Sequence, residues 1–95
     1  MNRPLERIRE LIRLGRYEVS GHALDEAADD EFDVVDIETA ILTGILVRTE
    51  TDDPRGTKYV VQGSAADLIR QVGVVARFTS SESCVIITVY EVQEA

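Results

Sequence analysis

Residues 44–63 read GILVRTETDDPRGTKYVVQG, and the fold class turns on this stretch. Before Gly44 apolar residues recur at helical spacing, and after it they alternate. ILVRTET (45–51) is expected to be a strand, and DDPRG places Pro and Gly where a turn wants them. TKYVVQG (57–63) is the return strand.

Downstream, SAAD makes the next connection, although SAADLIRQ could instead hold a helical turn. A third strand is expected over 71–78, where Val72, Val74, Ala76 and Phe78 alternate with Gly73, Val75 and Arg77. SSES turns the chain into CVIITVYEV, the most apolar strand, over 84–91. Simple alternation there puts Val85, Ile87 and Val89 on one face and Cys84, Ile86, Thr88 and Tyr90 on the other. Arg48, Tyr59 and Arg77 could join the second, more polar set, depending on register.

Upstream, DVVDIETAILTG gives a helix over 34–43, capped by Asp33, striped by Val34, Ile37, Ala40 and Ile41, and stopped by Gly44. In VSGHAL, Ser20 is an N-cap for a helix over 21–29 with Ala23, Leu24, Ala27 and Ala28 inward. Tyr17 to Val19 is a short extended link. A first helix over 4–15 carries Leu5, Ile8, Leu11 and Ile12, with Leu14 as a further candidate for the stripe, Pro4 in its first turn and Gly15 as its stop. The expected fold is α+β: three N-terminal helices on one face of a four-stranded antiparallel meander, in a single domain spanning 1–95.

A chain of 95 residues supports one core and not two. No apolar run approaches the ~20 residues of a membrane span, and MNRPLERIRELIRLG alternates charge with Leu and Ile, unlike a secretory signal. No membrane association and a cytoplasmic location are therefore expected. The single cysteine, Cys84, excludes an internal disulfide framework and a Cys-rich zinc site; in an apolar strand it reads as a buried thiol. The acids from Asp25 to Asp36 lack the spacing and central glycine of a calcium loop, so neither metal nor cofactor is called for.

The net charge of -8 is unevenly spread. Arg3 to Arg16 holds five arginines against Glu6 and Glu10, whereas Glu18 to Glu38 holds nine carboxylates and no Lys or Arg. Such a belt repels phosphate backbones and attracts basic partners. The basic first helix is expected to lie beside the acidic second and third.

Three pieces in this order carry a resemblance: VSGHAL opening a helix, DVVDIETAILTG before the first long strand, and CVIITVYEV at the end. With the glycine closing GTKYVVQG, they resemble a bacterial domain family of unknown function that looks related to the RelE, barnase and EndoU-like ribonuclease folds. The resemblance implies a toxin-like, metal-independent ribonuclease in a toxin–antitoxin pair. Its partner would be a small zinc-finger antitoxin of the kind that holds MqsR toxins. Carried over by position, the family histidine falls on His22, its serine on Ser20, and its terminal Thr and Tyr on Thr88 and Tyr90. Members commonly carry arginines in the helix after the histidine; here those places read LDEAADDEFD.

On that reading His22 is the general acid or base, and Tyr90 and Thr88 present hydroxyls to a phosphate or base. Arg77 or Arg48 stabilises the transition-state charge, while Ser20, Arg48 and Tyr59 help to bind. Each residue also has a structural alternative: His22 as a hydrogen-bonded spacer over the strand ends, the tyrosines and Thr88 as ordinary strand residues, the arginines as solvated surface. The competing function is a catalytically silent binding module using its acidic helical surface or a sheet edge. A nuclease site calls for clustered cations, and this chain clusters acids. RNA is thus disfavoured as a partner by charge, and a homodimer is among the states the sequence leaves open.

Overall fold

The structure is a computed structural model that describes residues 3–93. Its elements are α1 (Arg3–Arg13), β1 (Tyr17–Val19), α2 (Gly21–Asp29), α3 (Val34–Thr43), β2 (Ile45–Glu50), β3 (Lys58–Ser64), β4 (Gln71–Ser80) and β5 (Ser83–Glu91). The α+β class and the three helices stand as expected. The four-stranded meander does not: the sheet is five-stranded and mixed, in the order β1-β5-β4-β3-β2. The stretch read as a link, Tyr17–Val19, is a strand paired in parallel with Cys84–Ile86. Three residues are too few to show a period, and their partner lies at the other end of the sequence.

Local chemistry fixes the helices. In α1, Leu5, Ile8, Leu11 and Ile12 are buried, each worth about 1.5–3 kcal/mol against exposure. Gly15 takes φ 71°, the left-handed stop that glycine accepts without strain. Ser20 caps α2 by accepting from the Ala23 N–H at 3.1 Å. Asp33 and Asp36 form a capping box on α3. Asp36 is buried because its other oxygen accepts the Ala66 N–H at 2.9 Å, tying α3 to the β3–β4 loop (65–70).

All three helices contribute to one core with the inner sheet face, joining Ile8, Leu11, Ile37 and Ile41 to Val72, Val74, Ala76, Ile86 and Val89. Against expectation Leu14, Leu24, Ala28 and Val34 are exposed; in the second and third helices this is because Ala23, Ala27, Ile37 and Ala40 face the sheet. The approach of α3 to β3 is backbone on backbone: a Cβ at Gly63 would lie 2.1 Å from the Ala40 carbonyl oxygen.

The expected facing of the last strand also fails, at a β-bulge. Val75 pairs with Thr88 but Ala76 pairs with Ile86, leaving Ile87 as the extra residue. Cys84, Ile86 and Val89 therefore face the helices, and Val85, Thr88 and Tyr90 face away. A second bulge, at Val47, interrupts the edge strand β2, a common guard against unwanted pairing.

Among the described residues neither the arginines of α1 nor Arg16 forms an ion pair with the acidic belt. Arg9 bonds Glu6 and caps α3 through the carbonyls of Ile41 and Gly44, Arg7 bonds Glu10 and the Ser81 carbonyl, and Arg16 pairs with Glu82. Helix α1 does pack on α3, but through apolar side chains and these carbonyl caps. Among the described residues no helix is long and apolar enough to cross a membrane.

Candidate functional site

Ser20 ties the β1–α2 junction to β5. Its N–H donates to the Ile86 carbonyl at 3.0 Å and its hydroxyl to the Ile87 carbonyl at 3.3 Å. With the Ala23 contact as well, the Ser20 side chain is fully occupied in joining helix to strand.

Past Val19 the chain leaves the sheet, and α2 takes over the edge of β5 that β1 had covered. Glu26 accepts the Val89 N–H and Asp30 accepts the Glu91 N–H, both at 3.1 Å. The match is geometric. Four residues of helix rise about 6 Å, and two residues of strand about 6.7 Å, so carboxylates at i and i+4 meet alternate outward N–H groups. Two members of the acidic belt thus act as a surrogate strand, satisfying donors that would otherwise need another chain or water.

His22 stands one residue into α2 with its side chain 71% exposed, its Nε2 3.3 Å from Glu26 Oε2. It therefore braces the carboxylate that holds Val89. Its ring faces solvent because Ala23 and Ala27 take the inward positions.

Four further candidates, Tyr90, Thr88, Arg77 and Arg48, share the sheet face turned from the helices. Tyr90 lies opposite Gly73, Thr88 opposite Val75, and Arg77 opposite Val85. The Tyr90 ring covers Gly73 so closely that a Cβ there would sit 2.1 Å from it, and its hydroxyl accepts from Gln62 Nε2 at 3.1 Å. Arg48 lies opposite Val60 and bonds Glu50 at 2.7 Å. Tyr59 is not on this face: it pairs with Ala76 and packs edge-on against Phe78, ring centroids 5.6 Å apart, against the core.

Three cavities stand out, and none is lined by His22, Thr88 or Tyr90. One of about 490 Å³ lies between Gly15–Glu18 and the β4–β5 hairpin. At its floor burial pushes the Cys84 thiol up to about 11, and Tyr17, also raised by burial and then by its bond to Glu38, donates to that carboxylate. The second, about 320 Å³, is lined by Arg55, Arg77, Phe78 and Thr79. The third, about 260 Å³, runs between Ile69–Gln71 and Glu91–Gln93. Among the described residues no group of three or more His, Cys, Asp or Glu could hold a metal ion.

Most cations past Arg16 are engaged. Arg48 and Lys58 pair with Glu50, Arg55 and Lys58 with Asp53, and Arg70 with Asp67. Arg70 also donates to the Asp30 and Glu31 carbonyls and lies 4.5 Å over the Phe32 ring. Arg77 is the exception on the sheet, with no ion pair among the described residues.

Residues 19–91 match the model of a family described as a domain of unknown function, DUF4258. The chain belongs to the DUF4258 family. No curated protein matches it, and no solved structure does. In this DUF4258 domain the matched span takes in α2, α3 and β2–β5 and leaves out α1 and most of β1. Ser20, His22, Thr88 and Tyr90 all fall within it.

Several residues that shape the site were not given this role from sequence: Glu26 and Asp30, weighed only among acids that might hold a cation, and Gln62 and Asp67. For the first two a signal existed, since acids four apart on a helix with no cation beside them are costly unless they have something to accept. For Gln62 nothing local marks the reach to Tyr90.

Proposed function

We propose that this DUF4258 domain acts by holding a protein partner on its acidic helical side and that it does not cleave RNA. The observation that carries the reading is the disposition of charge. The cations beyond Arg16 are largely tied to carboxylates and carbonyls, whereas Asp25 and Asp29 stand exposed and form no ion pair among the described residues. A phosphodiester approaching His22 meets these acids first, which repel it. Leu24 and Val35, 46% and 55% exposed, place apolar contacts among the acids, the mixture a docking surface uses. A small antitoxin-like protein, the partner the resemblance implies, suits this surface if it presents a basic face. The proposed setting is the cytoplasm, where a lone buried thiol stays reduced.

One observation favours the ribonuclease reading instead. Arg77, Thr88 and Tyr90 share one sheet face, and among the described residues no carboxylate pairs with Arg77. On that reading Arg77 stabilises phosphate charge, Tyr90 or Thr88 donates a hydrogen bond, and His22 acts as acid or base.

The two separate in one set of measurements. A synthetic arginine-rich peptide and a single-stranded RNA oligonucleotide are each added to the protein, with amide shifts followed by NMR. The peptide is expected to move amides of α2 and residues 31–35, to weaken with salt, and to lose affinity when Asp25 and Asp29 become Asn. The RNA is expected to remain intact and to move nothing. RNA cleavage abolished by His22→Ala in a folded protein would overturn the proposal.

A further inference from the structure

The β3–β4 loop displays the two most exposed large apolar side chains among the described residues, Leu68 at 70% and Ile69 at 82%. Loops that expose such residues by default are loose; this one is fastened at every step. Asp67 accepts the N–H groups of Ile69 and Arg70 at 2.8 and 3.0 Å. Ala65 and Arg70 close the loop, Ala66 N–H bonds Asp36, and the Arg70 guanidinium reaches back to the end of α2. Leu68 also sits at φ 61°, a left-handed conformation that a leucine adopts only under constraint. Neither its side chain nor that of Ile69 contributes to the core in return.

Beside Ile69 lies the 260 Å³ cleft, lined also by Arg70, Gln71, Glu91, Val92 and Gln93. Arg70 is ion-paired with Asp67 and also feels the Glu91 carboxylate, so one guanidinium faces two carboxylates. The cleft therefore keeps a net negative charge next to a fastened apolar projection. Through Arg70 the loop is continuous with Asp30 and Glu31, and so with the acidic surface of α2.

We infer that Leu68 and Ile69 form the apolar anchor of a docking site for a basic protein segment, one lysine or arginine of which enters the adjoining cleft to pair with Glu91. A preformed projection binds with little ordering cost, the setting in which a few residues dominate an interface. The partner is basic because carboxylates surround the anchor; the same charge disfavours insertion into anionic membranes. This site deepens the acidic-surface reading and rests on it for the sign of the partner's charge.

The test uses the full chain as bait for a random dodecapeptide display library, with enriched peptides synthesised and titrated calorimetrically. Expected binders are net positive, with an apolar residue near a lysine or arginine. Leu68→Asn is expected to weaken them at least tenfold without lowering the melting temperature, since asparagine tolerates the left-handed backbone. Glu91→Gln should weaken them severalfold, and Ile45→Asn, on the far edge strand, not at all. Binders indifferent to Leu68→Asn and Ile69→Asn would overturn the anchor, as would a fall in melting temperature showing that Leu68 is needed for the fold. Binding to phosphatidylcholine vesicles that Leu68→Asn abolishes would also overturn it, in favour of a lipid surface. Peptides that depend on Asp25 and Asp29 but not on Leu68 would remove the anchor and leave the acidic-surface reading intact. RNA cleavage would remove that reading while the Leu68 result stood on its own.

Discussion

Substituting Gly63 by alanine tests the backbone-on-backbone approach of α3 to β3. The new Cβ would lie 2.1 Å from the Ala40 carbonyl oxygen, 2.8 Å from the Gly44 Cα and 2.9 Å from the Ala40 carbonyl carbon. All three are backbone atoms, so no side chain can rotate away; α3 must lift from β3 or β3 must bend. Overpacking costs about 1–3 kcal/mol where side chains can adjust, and a backbone-only clash belongs at the upper end, about 3 kcal/mol. In a domain of this size that corresponds to a fall of about 12–24 °C in melting temperature, or about 1–3 M in urea midpoint. Thermal unfolding followed by circular dichroism, with urea melts beside it, reads both. Gly21→Ala is the control: nothing lies within 4 Å of its Cβ position, and it opens a helix. Alanine there should be neutral or stabilising by up to about 1 kcal/mol. A Gly63→Ala protein that melts with the parent would refute the packing of α3 on β3 described above.

Glu26→Ala should strand the Val89 N–H and cost about 1–3 kcal/mol, with faster hydrogen exchange at that amide; Asp25→Ala, one residue away and exposed, should stay within about 0.5 kcal/mol of the parent. The Asp67 carboxyl is held down to about 2, first by the N–H of Ile69 and then by that of Arg70. With the folded value depressed, its contribution to stability is complete above the ordinary carboxylate range of about 4 and fades as pH falls toward 2. NMR should therefore show the Ile69 and Arg70 amides titrating near pH 2, and a midpoint near 4 would contradict the bonding. Cys84, pushed up to about 11 by burial, carries the opposite sign. The native state keeps a proton that the unfolded state releases near its ordinary value of about 8.5, so this contribution is complete below that pH and is lost as pH rises toward 11. Iodoacetamide at pH 8 should accordingly label the thiol only in denaturant.

What the sequence made legible was local. Ser20, Asp33 and Gly15 act within four residues of where they stand, so their types alone announce the helix ends they make. The pairing of β1 was invisible because its partner is remote and parallel, and three residues carry no period. The facing of β5 was misjudged because alternation assumes an unbroken pleat. The apolar positions Cys84, Ile86 and Val89 are spaced by two and then by three, and that change of step was the trace of the bulge. Among the site candidates, sequence placed His22 correctly at a helix start but could not tell its outward orientation. That depended on Ala23 and Ala27 being small enough for α2 to lie close on the sheet. Tyr59 was assigned to the wrong face for want of register, and Tyr90 to a face for the wrong reason, since it reaches the outer side only through the Ile87 bulge.

Because β1 and α2 both fasten to β5, residues 17–30 lack their main neighbour until that strand exists. Synthesis makes residues 17–30 early and residues 84–91 late, and a ribosome adds only about 5–20 residues each second. Through that interval the Val19 strand lacks its neighbour, and Glu26 and Asp30 have no amide to accept. An acidic, well-solvated α2 is a safe thing to leave waiting, since like charges on nascent neighbours keep them apart. The same carboxylates that later stand in for a strand thus serve beforehand as a solubilising guard, and closure of the domain is deferred to its last element.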